Sequence, residues 1–208
     1  ILRVTGKSLG TYFREEVGDQ HEIDFFIGLP ESEDHRVAEL VPFDIVRNEN
    51  SEQQKIELTE AQKSQRNSAG TLDIHNTKAW RQAEIPSANG QGNAGGLAKF
   101  YSLIVPEDNN IKLLKDDTVN QMTTMQIEGR DLVLAVQVRW GVGFILNKHK
   151  VIYGPVESAF GHSGYGGSCA FGDPENKIGV SYVMNRMLDN FNADGRSIEL
   201  INTTYDCL

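Results

Sequence analysis

The spacing of apolar positions changes along the chain. In the first third, Leu9, Tyr12, Phe13 and Val17 recur at helical spacing behind Ser8, which predicts a helix over 8–17 with Ser8 as its N-cap. "DFFIGLP" (24–30) reads as a short strand closed by Pro30, and "HRVAELVPF" (35–43) as another extended piece. Residues 44–70 hold few apolar positions and read as a long solvated connection. The middle is helical. Asn93 caps a helix over 93–105 that shows Leu97, Phe100, Tyr101 and Ile104, entered from the Gly/Asn loop "SANGQG" (87–92). A second helix over 115–126 starts near Asp116 or Asp117, with Val119, Met122 and Met125 on one stripe.

The last third turns to β-branched and aromatic content. "DLVLAVQVRWGVGFILN" (131–147) reads as one or two strands. Residues 158–186 read as strand, strand, turn, strand, with the turn at "GDPENK" (172–177) and Asp173-Pro174 as its corner. Residues 195–208 read as a closing helix with Ile198, Leu200, Ile201 and Tyr205 available for packing. Helices followed by an antiparallel meander make an α+β chain. We read one domain: a mostly helical region, 1–130, containing the polar connection 44–70, and a sheet portion with its closing helix, 131–208.

Composition narrows the function classes. The chain has 208 residues, 39% hydrophobic and 24% charged, enough to bury a core without staples. No apolar run approaches the roughly 20 residues of a membrane helix. "ILRVTGKSLG" carries charges and no signal-like apolar run, so a cytoplasmic location is expected. The net charge of -9 disfavours nucleic acid and anionic membrane surfaces as partners. Cys169 and Cys207 read as two reduced thiols, too few for a disulfide framework or a zinc site. His21, His35, His75, His149 and His162 show no short ligand spacing. No metal or other cofactor is expected, and the first four histidines read as surface-loop residues. The chain opens on Ile1 in mid-pattern and reads as the continuation of something upstream.

Two motifs invite chemistry. "TGKS" (5–8) has the tail of a phosphate-binding loop, but the required glycine five residues before Gly6 is Ile1. A helix start is the better reading. "GHSGYGGS" (161–168) offers Ser163 as a nucleophile on a G-x-S-x-G elbow. Tyr165 stands where that motif needs its second glycine, glycines 164, 166 and 167 make a poor first helical turn, and no histidine follows His162. An α/β-hydrolase esterase with a Ser163 nucleophile therefore stays the weaker alternative. A glycine-rich strand explains the glycines, and its N–H groups would serve a ligand carbonyl oxygen.

Six stretches together resemble the serine β-lactamase-like hydrolases, which include class C β-lactamases, DD-peptidases and related esterases. They are "RVTGKSLGTYFREEV", "FFIGLPESEDHRVAELVP", "AEIPSANGQGNAGGLAKFYSLI", "RWGVGFILN", "AFGHSGYGGSCAFGDPENKIGVSYVMNRM" and "YDCL". The resemblance implies the β-lactamase/transpeptidase-like fold and hydrolysis of an ester, amide or lactam through an acyl-enzyme. It places His162-Ser163-Gly164 at the family's third motif, Lys-Thr-Gly or His-x-Gly, on the strand that walls the pocket. It implies that Ser163 and Gly164 line the wall, that His162 replaces the lysine, and that the Tyr165 N–H is one oxyanion donor. A histidine is largely neutral at neutral pH, which turns the expectation from carboxylate-bearing lactams towards neutral esters.

Two family motifs are missing. No Ser-x-x-Lys occurs, and no tyrosine is followed two places on by asparagine or serine. By the resemblance both lie upstream, so the chain reads as the C-terminal half, inactive alone. A non-catalytic binding or scaffold member of the same fold is the alternative. Strands near 131–147 and 177–185 are expected to keep a bare edge that pairs with the missing half or a second copy.

Overall fold

The computed structural model describes residues 1–43, 60, 63, 72–106, 111–150, 152–188 and 194–208. Apart from Glu60 and Lys63, the expected polar connection 44–70 lies outside them. The chain starts with α1 (Leu2–Thr5) and α2 (Leu9–Phe13), continued by a π-helical turn (Arg14–Gly18). The Ser8 side chain accepts from the Thr11 N–H, as its capping role requires. Strand β1 (Phe25–Ile27) comes next, then a 3₁₀ turn (Glu31–Arg36) that takes up the first two residues of the expected second extended piece. Its three acidic residues lie in the first turn and His35 and Arg36 in the last, the order the helix dipole favours. Extended chain begins only at Val37, and Val41 makes a parallel bridge to Arg186.

Beyond a second 3₁₀ turn (Leu72–Asn76) lie α3 (Lys78–Gln82), β2 (Gly90–Gly92) and α4 (Ala94–Ile104). Strand β2 falls inside the expected Gly/Asn loop and pairs antiparallel with β1, Phe26 opposite Gln91. Side chains at Gly90 and Gly92 would collide with the Phe25 ring, so the pairing needs glycine there. The Asn93 side chain caps α4 by accepting from the Gly96 N–H at 2.8 Å.

After α5 (Asp116–Thr123), six antiparallel strands run in chain order: β3 (Ile127–Arg130), β4 (Gln137–Trp140), β5 (Ile145–Leu146), β6 (Phe160–Ser163), β7 (Cys169–Asp173) and β8 (Ile178–Tyr182). The sequence reading has no counterpart to β3. It also starts β4 too early: residues 131–136 form a turn, in which the Asp131 carboxylate accepts from the Val133 and Leu134 N–H groups, both at 2.8 Å. The turn after β7 is where the Asp173-Pro174 pair predicts it. Buried Asp173 accepts there from the Glu175 and Asn176 N–H groups and from the Tyr205 hydroxyl at 2.6 Å.

The alternation of β7 divides the core. Cys169 and Phe171 join Ile145, Tyr153, Ala159 and Ile201 on the face covered by α6 (Gly195–Tyr205). Ala170 joins Tyr101, Ile104, Val105 and Phe160 on the face covered by α4. In α6, Ile201 is buried but Leu200 is 58% exposed, because Leu200 falls one position off the inward stripe. Among the described residues no helix is long and apolar enough to cross a membrane, and both cysteines are free thiols.

Candidate functional site

The four candidate residues are consecutive, and the structure brings them to one end of β6 and the turn after it. Strand β6 lies between β5 and β7, with His162 opposite Ala170 and Ser163 opposite Cys169. Phe160 anchors it with no exposed surface. Gly161 has to be glycine, because a Cβ there would strike the Ala170 carbonyl oxygen.

His162 is exposed. Its Nδ1 lies 2.8 Å from the Ser163 carbonyl oxygen, and its ring centroid lies 5.6 Å from that of Trp140. A carbonyl only accepts, so this bond places a proton on Nδ1 and leaves the lone pair of the neutral ring on Nε2. Ser163 is half-buried, and its Oγ lies 3.4 Å from the Tyr153 hydroxyl. Tyr153 is fully buried against Phe171, and burial pushes its phenol far above the ordinary value, so it stays neutral and either hydroxyl can donate across the contact.

The chain then turns tightly. The Gly164 N–H donates to the Ser168 carbonyl at 2.7 Å and the Gly167 N–H to the Gly164 carbonyl at 3.2 Å. Gly166 and Gly167 have φ of 95° and 118°, a backbone that other residues rarely adopt. The Tyr165 ring meets Phe43 edge-on at 5.8 Å.

This layout removes the elbow reading. Ser163 ends a strand and leads into a glycine turn and strand β7, so no helix N-terminus faces a nucleophile at this position. His75 also departs from the surface-loop reading. It lies half-buried in a 3₁₀ turn, its ring 4.7 Å from Trp80 and its Nδ1 buried. Among the described residues no cluster of three or more His, Cys, Asp or Glu is arranged to hold a metal ion.

Trp140, Tyr153, Phe43 and Asp194 adjoin the candidate stretch and were not found by sequence reasoning. Tyr153 reaches it from ten residues away and the other three from further, beyond the range of any local pattern.

An antiparallel meander backed by two helices, with a strand that ends at His162-Ser163 and leads into a glycine turn, has the β-lactamase/transpeptidase-like fold. The family model described as Beta-lactamase matches residues 1–203, and the chain belongs to this family. The esterase/beta-lactamase LipL of Mycobacterium tuberculosis (strain ATCC 25618 / H37Rv) is 31% identical over 204 residues, which cover 89% of this chain and 44% of LipL. A family VIII carboxylesterase of known structure is 40% identical, with a TM-score of 0.87 over 100% of this chain and 54% of its own. A penicillin-binding protein homolog from Caulobacter crescentus is 34% identical, with a TM-score of 0.81 over the same shares. The chain thus spans about half the length of these relatives.

Proposed function

We propose that this chain is the C-terminal half of a serine hydrolase that cleaves small-molecule esters, amides or lactams through an acyl-enzyme, with neutral esters favoured. The carrying observation is the His162-Ser163-Gly164-Tyr165 run at the open end of β6, with His162 exposed beside Trp140. The names of the carboxylesterase and of LipL support an ester substrate.

In this reading a serine outside the chain attacks the substrate carbonyl. Its proton passes to a neighbouring base, and the carbonyl oxygen becomes an oxyanion held by the Tyr165 N–H and the nucleophile's own N–H. The alkoxide leaves with a proton, and water then cleaves the acyl-serine bond. His162 contacts substrate through Nε2, and Ser163 and Gly164 shape the wall. Without the nucleophile the half is inactive alone. Strand β8 supports the partner reading, since among the described residues its outer edge pairs with no other strand. The missing half docks there, and a second copy takes its place when the half is absent.

Intact-mass analysis after fluorophosphonate treatment tests the reading on this chain and on its full-length parent. The expected result is one adduct on the parent and none on the chain. An adduct at Ser163 of the isolated chain sinks the reading. A folded parent that never labels favours the non-catalytic scaffold instead.

A further inference from the structure

The glycine pair at 166–167 cannot fix the turn by itself, because two adjacent residues without side chains leave the backbone free. Neighbours must hold it. On one side, the Leu188 N–H donates to the Gly166 carbonyl at 3.0 Å, and the Met184 and Met187 side chains close on Gly166. On the other side stands Asp194, 1% exposed. A Cβ on Gly167 would collide with Asp194 Oδ2, so the carboxylate lies directly against the turn. Capping α6 occupies Oδ1, which accepts from the Arg196 N–H at 2.8 Å, and any Ser, Thr or Asn would do as much. The carboxylate does more. It binds the Arg196 guanidinium through both oxygens, and Arg196 reaches on to the Arg186 carbonyl at 3.1 Å. The Arg196 guanidinium holds the Asp194 carboxyl below its ordinary value, so the group is ionised at neutral pH. One ion pair thus ties the start of α6 to the 184–188 segment, with the glycine turn between them.

We infer that Asp194 is a positioning residue: with Arg196 it clamps the Gly166-Gly167 turn and so aims the Tyr165 N–H at the substrate oxygen. The inference rests on the hydrolase reading above. A donor that acts on the developing oxyanion changes kcat and leaves KM alone. A misplacement of about 1 Å costs up to about 100-fold.

The test uses the full-length parent, p-nitrophenyl butyrate as substrate, a fluorophosphonate as acylation probe, and thermal melting to establish that each variant is folded. Asp194→Asn keeps a capping oxygen and the shape but loses the charge. It should lower kcat and the labelling rate about tenfold, with KM within twofold. Asp194→Ala should approach the 100-fold loss. Gly167→Ala should also lower kcat, and its extra effect should shrink in the Asp194→Ala background, where the group it strikes is gone. If Asp194→Ala does not fold, Asp194→Asn and Gly167→Ala carry the test. Folded variants with parental kcat and labelling rate overturn the inference alone. A parent that neither labels nor turns over ester overturns it together with the hydrolase reading.

Discussion

The sheet that carries His162 and the layer built from residues 1–43 and 72–92 are held by different forces. In the sheet, Tyr153, Phe160 and Phe171 are completely buried, and the two helices close on opposite faces of β7. In the N-terminal layer, Ile23 and Leu29 are the buried apolar side chains among the described residues. Polar contacts supply the rest. Glu84 accepts from the Ser8 hydroxyl at 2.6 Å and the Gly10 N–H at 3.0 Å. Arg81 pairs with Asp34 at 2.6 Å and donates to the Asn76 carbonyl at 2.7 Å. Arg36 joins Asp24 and Glu33, and Asn93 joins Asp24 at 2.6 Å. Apolar burial carries no titrating group and is not screened by salt, whereas charge-assisted contacts are weakened by both acid and salt. The site wall stands on the apolar region, with the Asp194–Arg196 pair beside its glycine turn as a charged exception. Each region also holds one tryptophan, Trp140 in the sheet and Trp80 in the layer, so variants with the other tryptophan replaced by phenylalanine follow their unfolding separately.

The largest effect should come from the sheet. Phe171→Ala should cost about 3–5 kcal/mol in a denaturant melt followed at Trp140, because it empties a fully buried position. In the N-terminal layer, Gly10→Ala should cost about 1–3 kcal/mol, since its Cβ would strike the Ile27 carbonyl and part α2 from β1. Arg81→Ala should cost about 1.5–3 kcal/mol, read at Trp80 first, by leaving the mostly buried Asp34 with the longer Lys78 contact at 4.0 Å in place of its close guanidinium.

Acid sharpens the contrast. The Arg36 guanidinium holds the Asp24 carboxyl below its ordinary value of 3.8. A depressed folded value means stabilisation that is full above 3.8 and is lost as pH falls through the lower folded value. The Trp80 signal should therefore loosen below about pH 4, and Asp24→Asn should remove that step. A Trp140 step that Asp24→Asn also removes would show that the two regions unfold as one, whereas a step that survives it belongs to the sheet's own Asp194–Arg196 pair. The smallest effect belongs to Leu200→Lys, within about 0.5 kcal/mol, since that side chain faces solvent. Ile201→Ala, one residue on, should cost about 2–5 kcal/mol.

Local chemistry was legible. The Ser8 and Asn93 caps, the α4 stripe and the Asp173 turn arise from residue types and spacings within a few positions, and each is present. The His162–Tyr165 run stands out in the string for the same reason, as His and Ser among glycines, and its role is a proposal. Strands β2 and β3 were not. "GQG" and "IEGR" have no apolar alternation, and β2 exists because β1 lies beside it. Residue type offers Leu200 and Ile201 alike for packing, and only the seating of α6 on the sheet buries Ile201 and leaves Leu200 exposed.

Residue types and short spacings were enough for the order of helices and meander, for the caps and corners, and for the kinship carried by motifs that run through the whole chain. Packing in three dimensions was needed to end a strand at Ser163 beside Tyr153, to set Trp140 next to His162, and to press Asp194 on the glycine turn. The reason is range. Caps, turns and periodicity act over a few residues and leave a mark in the string. Contacts between residues far apart in the chain depend on how the strands register and where the helices land.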